Sequence, residues 1–305
     1  MGLASLIGVD GGSLGSRFSL VSLLPTSVGA TVIVFVLASG APGQPADWDR
    51  AVRTARGLDA ADVGLLAVGV LVVAAALHPL QLSLVRLLEG YWGNRSVATR
   101  LQRPLLARQA RLRKRLADRA ALPADADSVD AEAAAADQKR RARFPRDPLL
   151  PTGLGNALRA AEQRAGSRYA MDAVVLWPRL YPLVPDQQRA VLDDRRDQLD
   201  LAARLTATLG VTAAVTAGLL WRTWTWWWLP VALLTLSALS YRAAVAAAVA
   251  YGDSLRVTFD LYRFDLLTAL HLPLPADNDD ERKQNTALST WLRQGGQPPG
   301  YHHPD

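Results

Sequence analysis

The sequence contains no cysteine, and only three lysines, four histidines and two methionines in 305 residues. Without cysteine there is no disulfide, no thiolate nucleophile, and no Cys-ligated zinc or iron–sulfur cluster. The histidines (His78, His271, His302 and His303) fall into no H-E-x-x-H or related ligand pattern, so no metal site is predicted. The pair His302-His303 reads as part of a disordered tail. No G-x-S-x-G nucleophile elbow occurs. Pro151–Asn156 is glycine-containing and precedes a helix-like run, Ala157–Ala165. It lacks the Gly-Lys-Ser/Thr of a phosphate loop and has no clear strand before it, so Asn156 reads as an ordinary N-cap. Asp193, Asp194, Asp197 and Asp200 alternate with Arg195 and Arg196, as on a salt-bridged helix surface rather than a metal site. No catalytic residue, cofactor or metal follows from these patterns, and an enzyme would need an unorthodox site.

Four stretches are almost free of charge, while most charge sits in a central block and a tail. That segregation predicts an all-α polytopic membrane protein. The first span, about 18–39, has 22 residues without a charge, enough to cross roughly 30 Å of hydrocarbon. A cleaved signal peptide is the rival reading. Against it, the apolar run is too long and the segment before it carries only Arg17 beside Asp10. The second span, about 63–84, contains His78-Pro79, which predicts a kink or break; Tyr91 and Trp92 follow as an interfacial pair. The third, about 201–221, starts with Arg204 able to snorkel. Gly210, Ala214 and Gly218 lie four apart on one face, and Thr208, Thr212 and Thr216 on the opposite one. Such stripes serve close helix packing, with a pore-lining threonine face as the alternative. The fourth span is about 226–247. Between the last two, five tryptophans within Trp221–Trp228 mark a tight hairpin at one interface.

Orientation follows from the arginines. Residues 86–204 hold 23 Lys and Arg against 15 Asp and Glu, whereas the hairpin has only Arg222. The positive-inside rule then makes the central block and both termini cytoplasmic in a cell-membrane protein. The predicted divisions are an N-terminal transmembrane hairpin (1–92), a basic cytoplasmic helical domain (93–200), a C-terminal hairpin (201–250), and an amphipathic helix with a partly disordered tail (251–305).

Within the cytoplasmic part, 95–122 reads as a basic helix with Val97, Leu101, Leu105, Leu112 and Leu116 as its apolar stripe and Pro104 weakening its start. Arg108, Arg111, Arg113, Lys114 and Arg115 on this helix are candidate contacts for anionic lipid, if they are more than the orientation signal itself. Nucleic acid is disfavoured, because the block lacks stacking aromatics. Residues 121–138, rich in Ala and Asp, read as a linker or surface loop with helix after Asp130 as an option. Lys139–Arg143 read as a solvated or headgroup-facing run. Ala173–Trp177 is too short to span and reads as a buried strand or a hydrophobic segment on the membrane or another helix. Asp186 is predicted to cap a long helix entering span three. In the tail, Leu255, Phe259, Tyr262, Leu266 and Leu270 share a face expected to pack on helix 95–120 or 186–200, with Arg256 and Asp260 paired on another.

Gly155–Pro185 and Tyr251–Pro275 resemble segments of uncharacterised actinobacterial multi-pass membrane proteins. The resemblance covers about a fifth of the chain. It implies the same membrane topology and brings no activity or site with it. The reading that emerges is a noncatalytic, membrane-anchored interaction or signalling protein working through its cytoplasmic helices, with an oligomeric channel lined by spans three and four as the alternative. Its partners are the lipid bilayer, anionic lipid, a further copy of the chain, and a cytoplasmic protein.

Overall fold

A computed structural model describes residues 14–90, 92, 96–121, 127–295 and 300. Among these the protein is all-helical, with no strand. Residues 1–13, Tyr91 and the His302-His303 pair lie outside the described residues. The described parts of the chain form two compact units. One comprises 10–88 and 197–244, the other Glu89–Arg196 and Val245–Asp305.

The first unit contains α1 (Leu14–Ala38), α2 (Trp48–Arg56), α3 (Ala60–Glu89) up to residue 88, and the apolar parts of α8 (Asp186–Leu219) and α9 (Trp228–Ala269). Among the described residues, two helices are long and apolar enough to cross a membrane: α8, and the stretch Trp224–Ala269 that includes α9. The described apolar segments of α1 and α3, Pro25–Ala38 and Ala60–Gly69, are shorter. The break expected at His78-Pro79 does not occur; α3 runs through it. One proline removes one backbone donor, a defect that apolar helices tolerate when neighbouring groups re-satisfy the freed carbonyl. Asp59 and Asp62 cap the start of α3 reciprocally, each carboxylate accepting from the other's backbone N–H at 2.8 and 3.2 Å.

In this unit α1 meets α8 at Gly29, and α8 meets α9 where the Ser237 hydroxyl donates to the Thr206 carbonyl at 2.8 Å. Leu209, Ala213 and Leu233 are buried between α8 and α9, with Val32 of α1 packed against them. At the hairpin end, Phe35, Trp48 and Trp226 form an aromatic cluster with centroids 5.3–6.2 Å apart. Trp221, Trp224 and Trp228 instead point outward, 67%, 82% and 60% exposed.

The second unit contains α4 (Ser96–Ala120), α5 (Asp127–Arg143), α6 (Gly153–Arg164), a 3-10 turn (Ser167–Tyr169), α7 (Ala173–Leu180), α10 (Asn278–Gln294), and the flanking parts of α8 and α9. Several expectations are corrected here. The Ala- and Asp-rich segment is not a loop beyond residue 126. It is helix from Asp127, because alanine has the highest helix propensity and acidic residues favour the N-terminal turn. The candidate strand is α7: Asp172 caps it by accepting from Val174 N–H at 3.1 Å, and Leu176, Trp177 and Leu180 are buried on one helical face. Thr152, not Asn156, caps α6; Asn156 sits inside the helix and clamps both backbone groups of Leu150. Asp186 is the first helical residue of α8 rather than its cap. Part of the tail beyond Pro273 forms α10, with Asp277 accepting from Asp280 N–H at 2.8 Å, while residues 296–299 and 301–305 lie outside the described residues.

The basic helix α4 forms as expected and contains Pro104, but its apolar stripe is rotated: Leu101 and Leu112 are exposed while Gln109 is buried. α4 packs chiefly on α5, and it buries Gln109 rather than Leu101 or Leu112, so leucine spacing alone misplaces its buried face. Leu255, Phe259 and Leu266 of α9 are buried as the periodicity predicts. On this side of α9, Trp177 of α7 stacks on Phe259 at 6.2 Å, and Gly252 lies against Ala161 of α6. Arg256 and Asp260 do not form a pair. Asp260 instead accepts from the Tyr169 hydroxyl at 3.0 Å and faces Arg168 at 3.9 Å.

Candidate anion-binding cavity

The second unit holds an open cavity of about 960 Å³ lined by eight arginines and one lysine. They converge from separate elements: Arg113 and Lys114 from α4, Arg140 and Arg141 from α5, Arg146 from the following loop, Arg164 from α6, Arg168 from the 3-10 turn, Arg256 from α9, and Arg282 from α10. Alanines on facing helices, Ala110 and Ala117 of α4 and Ala160 of α6, leave the space open. Lys114, Arg141, Arg146, Arg168 and Arg282 are exposed and form the rim; Arg113, Arg140, Arg164 and Arg256 are half-buried and form the walls.

Part of this charge is compensated. Arg113 donates to the Arg146 carbonyl at 2.9 Å and lies 3.3 Å from Asp147. Gln163 fixes the same loop, accepting from Arg146 N–H at 2.7 Å and donating to the Asp147 carbonyl at 3.0 Å. Asp137 bridges Arg140 and Arg141, each at 2.6 Å. These hydrogen bonds, the one from Arg140 above all, hold the Asp137 carboxyl below the usual carboxylate range. Asp253 faces Arg164 at 3.4 Å. Burial raises the Tyr169 phenol above its ordinary value, and its hydrogen bond to Asp260 adds to the shift.

Lys114, Arg146, Arg256 and Arg282 have no carboxylate partner among the described residues; Arg282 donates instead to the Arg168 carbonyl at 2.9 Å. The Arg256 Nε is buried without any hydrogen-bond partner. A buried donor left unpaired costs about 1–3 kcal/mol, more when it carries charge. A concave surface of one sign also focuses its field on the solution it faces. The lining thus presents a surplus of positive charge to the space it faces.

Of the arginines and lysine singled out in the sequence, Arg113 and Lys114 line the cavity, whereas Arg108, Arg111 and Arg115 lie on exposed parts of α4 outside it. The Lys139–Arg143 run, read as solvated, contributes Arg140 and Arg141. Arg164, Arg168, Arg256 and Arg282 carried no local signal; they are brought together only by the packing of α6, α9 and α10.

The threonine and small-residue stripes sit elsewhere, in the first unit. Thr212 and Thr216 are buried and Thr208 is half-buried. The Thr216 hydroxyl is spent on the Thr212 carbonyl at 2.8 Å, and Thr208 and Thr212 press on Gly29 of α1. Gly210 approaches Ser237, while Ala214 and Gly218 face outward. No protein-family model, no curated protein and no solved structure matches this chain.

Proposed function

We propose that this chain is a multi-pass membrane protein with four spans (about 18–39, 63–84, 201–221 and 226–247), both termini in the cytoplasm, that works without catalysis as a membrane-anchored interaction or signalling protein. Its working part is the helical unit holding the basic cavity. The observation that carries this reading is the convergence of nine cationic side chains from seven segments on one cavity. Structural charge is normally dispersed over a surface, because clustering like charges costs energy. Two further features favour the membrane placement. Val63, Leu65, Val68 and Val72 of α3 are all more than half exposed, a patch that suits lipid better than water. The outward tryptophans at the α8–α9 hairpin suit the headgroup level. The resemblance of Gly155–Pro185 and Tyr251–Pro275 to multi-pass membrane proteins accords with both.

The absence of cysteine allows a clean test, since every introduced thiol is the sole reporter. Thr54→Cys in α2 and Thr290→Cys in α10 both replace exposed residues. In intact cells a membrane-impermeant maleimide labels Thr54→Cys at once and labels Thr290→Cys only after permeabilisation. The reverse order, or equal labelling of both, overturns the proposed topology.

A further inference from the structure

We propose that the basic cavity binds a small ligand carrying two or more phosphate groups, with the Arg256 guanidinium donating to one of them. The inference rests on the reading above that this unit is the working part of the protein. Four observations lead to it. First, the four cations without a carboxylate partner (Lys114, Arg146, Arg256 and Arg282) match a ligand with several negative charges, not a singly charged one. Second, the carboxylates nearby are already engaged. Asp137 holds Arg140 and Arg141, and Asp147, Asp253 and Asp260 face Arg113, Arg164 and Arg168, so the protein cannot neutralise the rest internally. Third, Arg256 lines the cavity with a guanidinium that has no carboxylate partner among the described residues, and its Nε is buried without a hydrogen-bond partner. Fourth, the volume of about 960 Å³ is that of a small-molecule site and exceeds what one inorganic ion fills.

The chemistry selects phosphate over other anions. Arginine presents a planar fork of donors that meets phosphate oxygens bidentately, and arginine outnumbers lysine eight to one in the lining. The lining comes from six helical segments and one loop around a single space of about 960 Å³, which matches the size of a small ligand. Among the described residues Phe144 is the only aromatic one in the lining, so polar recognition dominates. Two sources carry this chemistry: a free nucleoside polyphosphate, and a phospholipid with a phosphorylated headgroup.

The test is isothermal titration calorimetry on the purified full-length chain in detergent. The probes are pyrophosphate, ATP and dioctanoyl phosphatidylinositol bisphosphate, with sulfate and citrate as controls. Saturable one-site binding of a phosphate probe is expected, together with loss of about tenfold or more in affinity on Arg256→Gln while the thermal transition is retained. Tighter binding of ATP than of the lipid assigns the free source, and the opposite order assigns the headgroup. Lys114→Gln, at an exposed rim position, weakens binding in the same direction and stands in if Arg256→Gln fails to fold. Three results overturn the proposal: no phosphate probe binds, citrate binds as tightly as pyrophosphate, or neither substitution changes the affinity. Because this assay involves no membrane orientation, its failure leaves the topology standing, and a failed labelling experiment leaves the binding result standing.

Discussion

A Cβ placed on Gly155 would fall 1.8 Å from the carbonyl oxygen of Glu89. The first turn of α6 therefore rests directly on the backbone at the end of α3, with no room for a side chain. In an isolated helix Gly→Ala is favourable by about 1 kcal/mol. Here the obstructing atom belongs to the main chain and cannot rotate away, so the clash decides the sign. Gly155→Ala is expected to destabilise the protein by about 1–3 kcal/mol or more, read as a lowered thermal transition of the purified chain. An unchanged or raised transition would show that α6 can shift relative to residue 89 at little cost.

The contact between α1 and α8 makes a similar prediction with a built-in control. A Cβ on Gly29 would lie 2.6 Å from the Thr212 hydroxyl oxygen and 3.0 Å from a Thr208 methyl. Both obstacles are β-branched side chains with little χ1 freedom in a helix. Gly29→Ala alone is expected to destabilise the protein. Added to Thr212→Ala, which removes the nearer obstacle, it costs less, giving a coupling energy of about 0.5–3 kcal/mol in a double-mutant cycle. Strict additivity of the two substitutions would mean that the helices do not meet at these residues.

Local pattern accounts for what could be read from the sequence and tertiary placement for what could not. The long apolar helices and the buried face of α9 follow from apolar spacing within one element, whereas α4 forms as a helix but buries a face other than its leucine stripe. α7 was ambiguous because five apolar residues suit either a strand or a helix, and only the Asp172 cap with the buried positions Leu176, Trp177 and Leu180 resolves it. α10 was hidden by its polar composition; it is held by contacts to residues more than a hundred positions earlier, which no window over the tail contains. The cavity was half legible. Arg113, Lys114, Arg140 and Arg141 sit in visible basic runs, but Arg256 and Arg282 are isolated in sequence and join the site only through the packing of α9 and α10.

Tyr181 supplies a pH prediction. Burial pushes its phenol up to about 12, with the hydrogen bond it donates to Asp193 at 2.8 Å adding to the shift and the charge of Arg189 opposing it. An unfolded tyrosine titrates near pH ~10, so the folded value is the higher. The corresponding stability is fully present below about pH 10 and is lost as pH rises through the folded value. Denaturant unfolding between about pH 9 and pH 11 should show wild type losing more stability than Tyr181→Phe, which has no phenol to ionise. Equal losses in the two proteins would place the Tyr181 titration at its ordinary value.

α10 is fastened by a buried ion pair. Arg263 Nε lies 2.8 Å from Glu281 Oε1, and Glu281 is only 4% exposed. The same guanidinium stacks over Tyr169 at 4.0 Å and Phe264 at 4.2 Å. Around it, Asn285 donates to the Tyr169 carbonyl at 3.0 Å, Ser289 accepts from Asp172 N–H at 3.1 Å, and Arg293 pairs with the Asp172 carboxylate. Removing one member of a buried pair strands the other charge, at a cost of about 3–5 kcal/mol, whereas replacing both with apolar groups of similar size is often neutral. Glu281→Ala is therefore expected to release α10, seen as faster amide hydrogen exchange across 278–294 with slower change elsewhere in the unit. Arg263→Met combined with Glu281→Leu should recover much of the protection. If Glu281→Ala leaves exchange in α10 unchanged, the helix is held by Leu288 and its apolar neighbours alone; if the double substitution exchanges faster than the single one, the pair is a net source of stability rather than a desolvated contact kept for register.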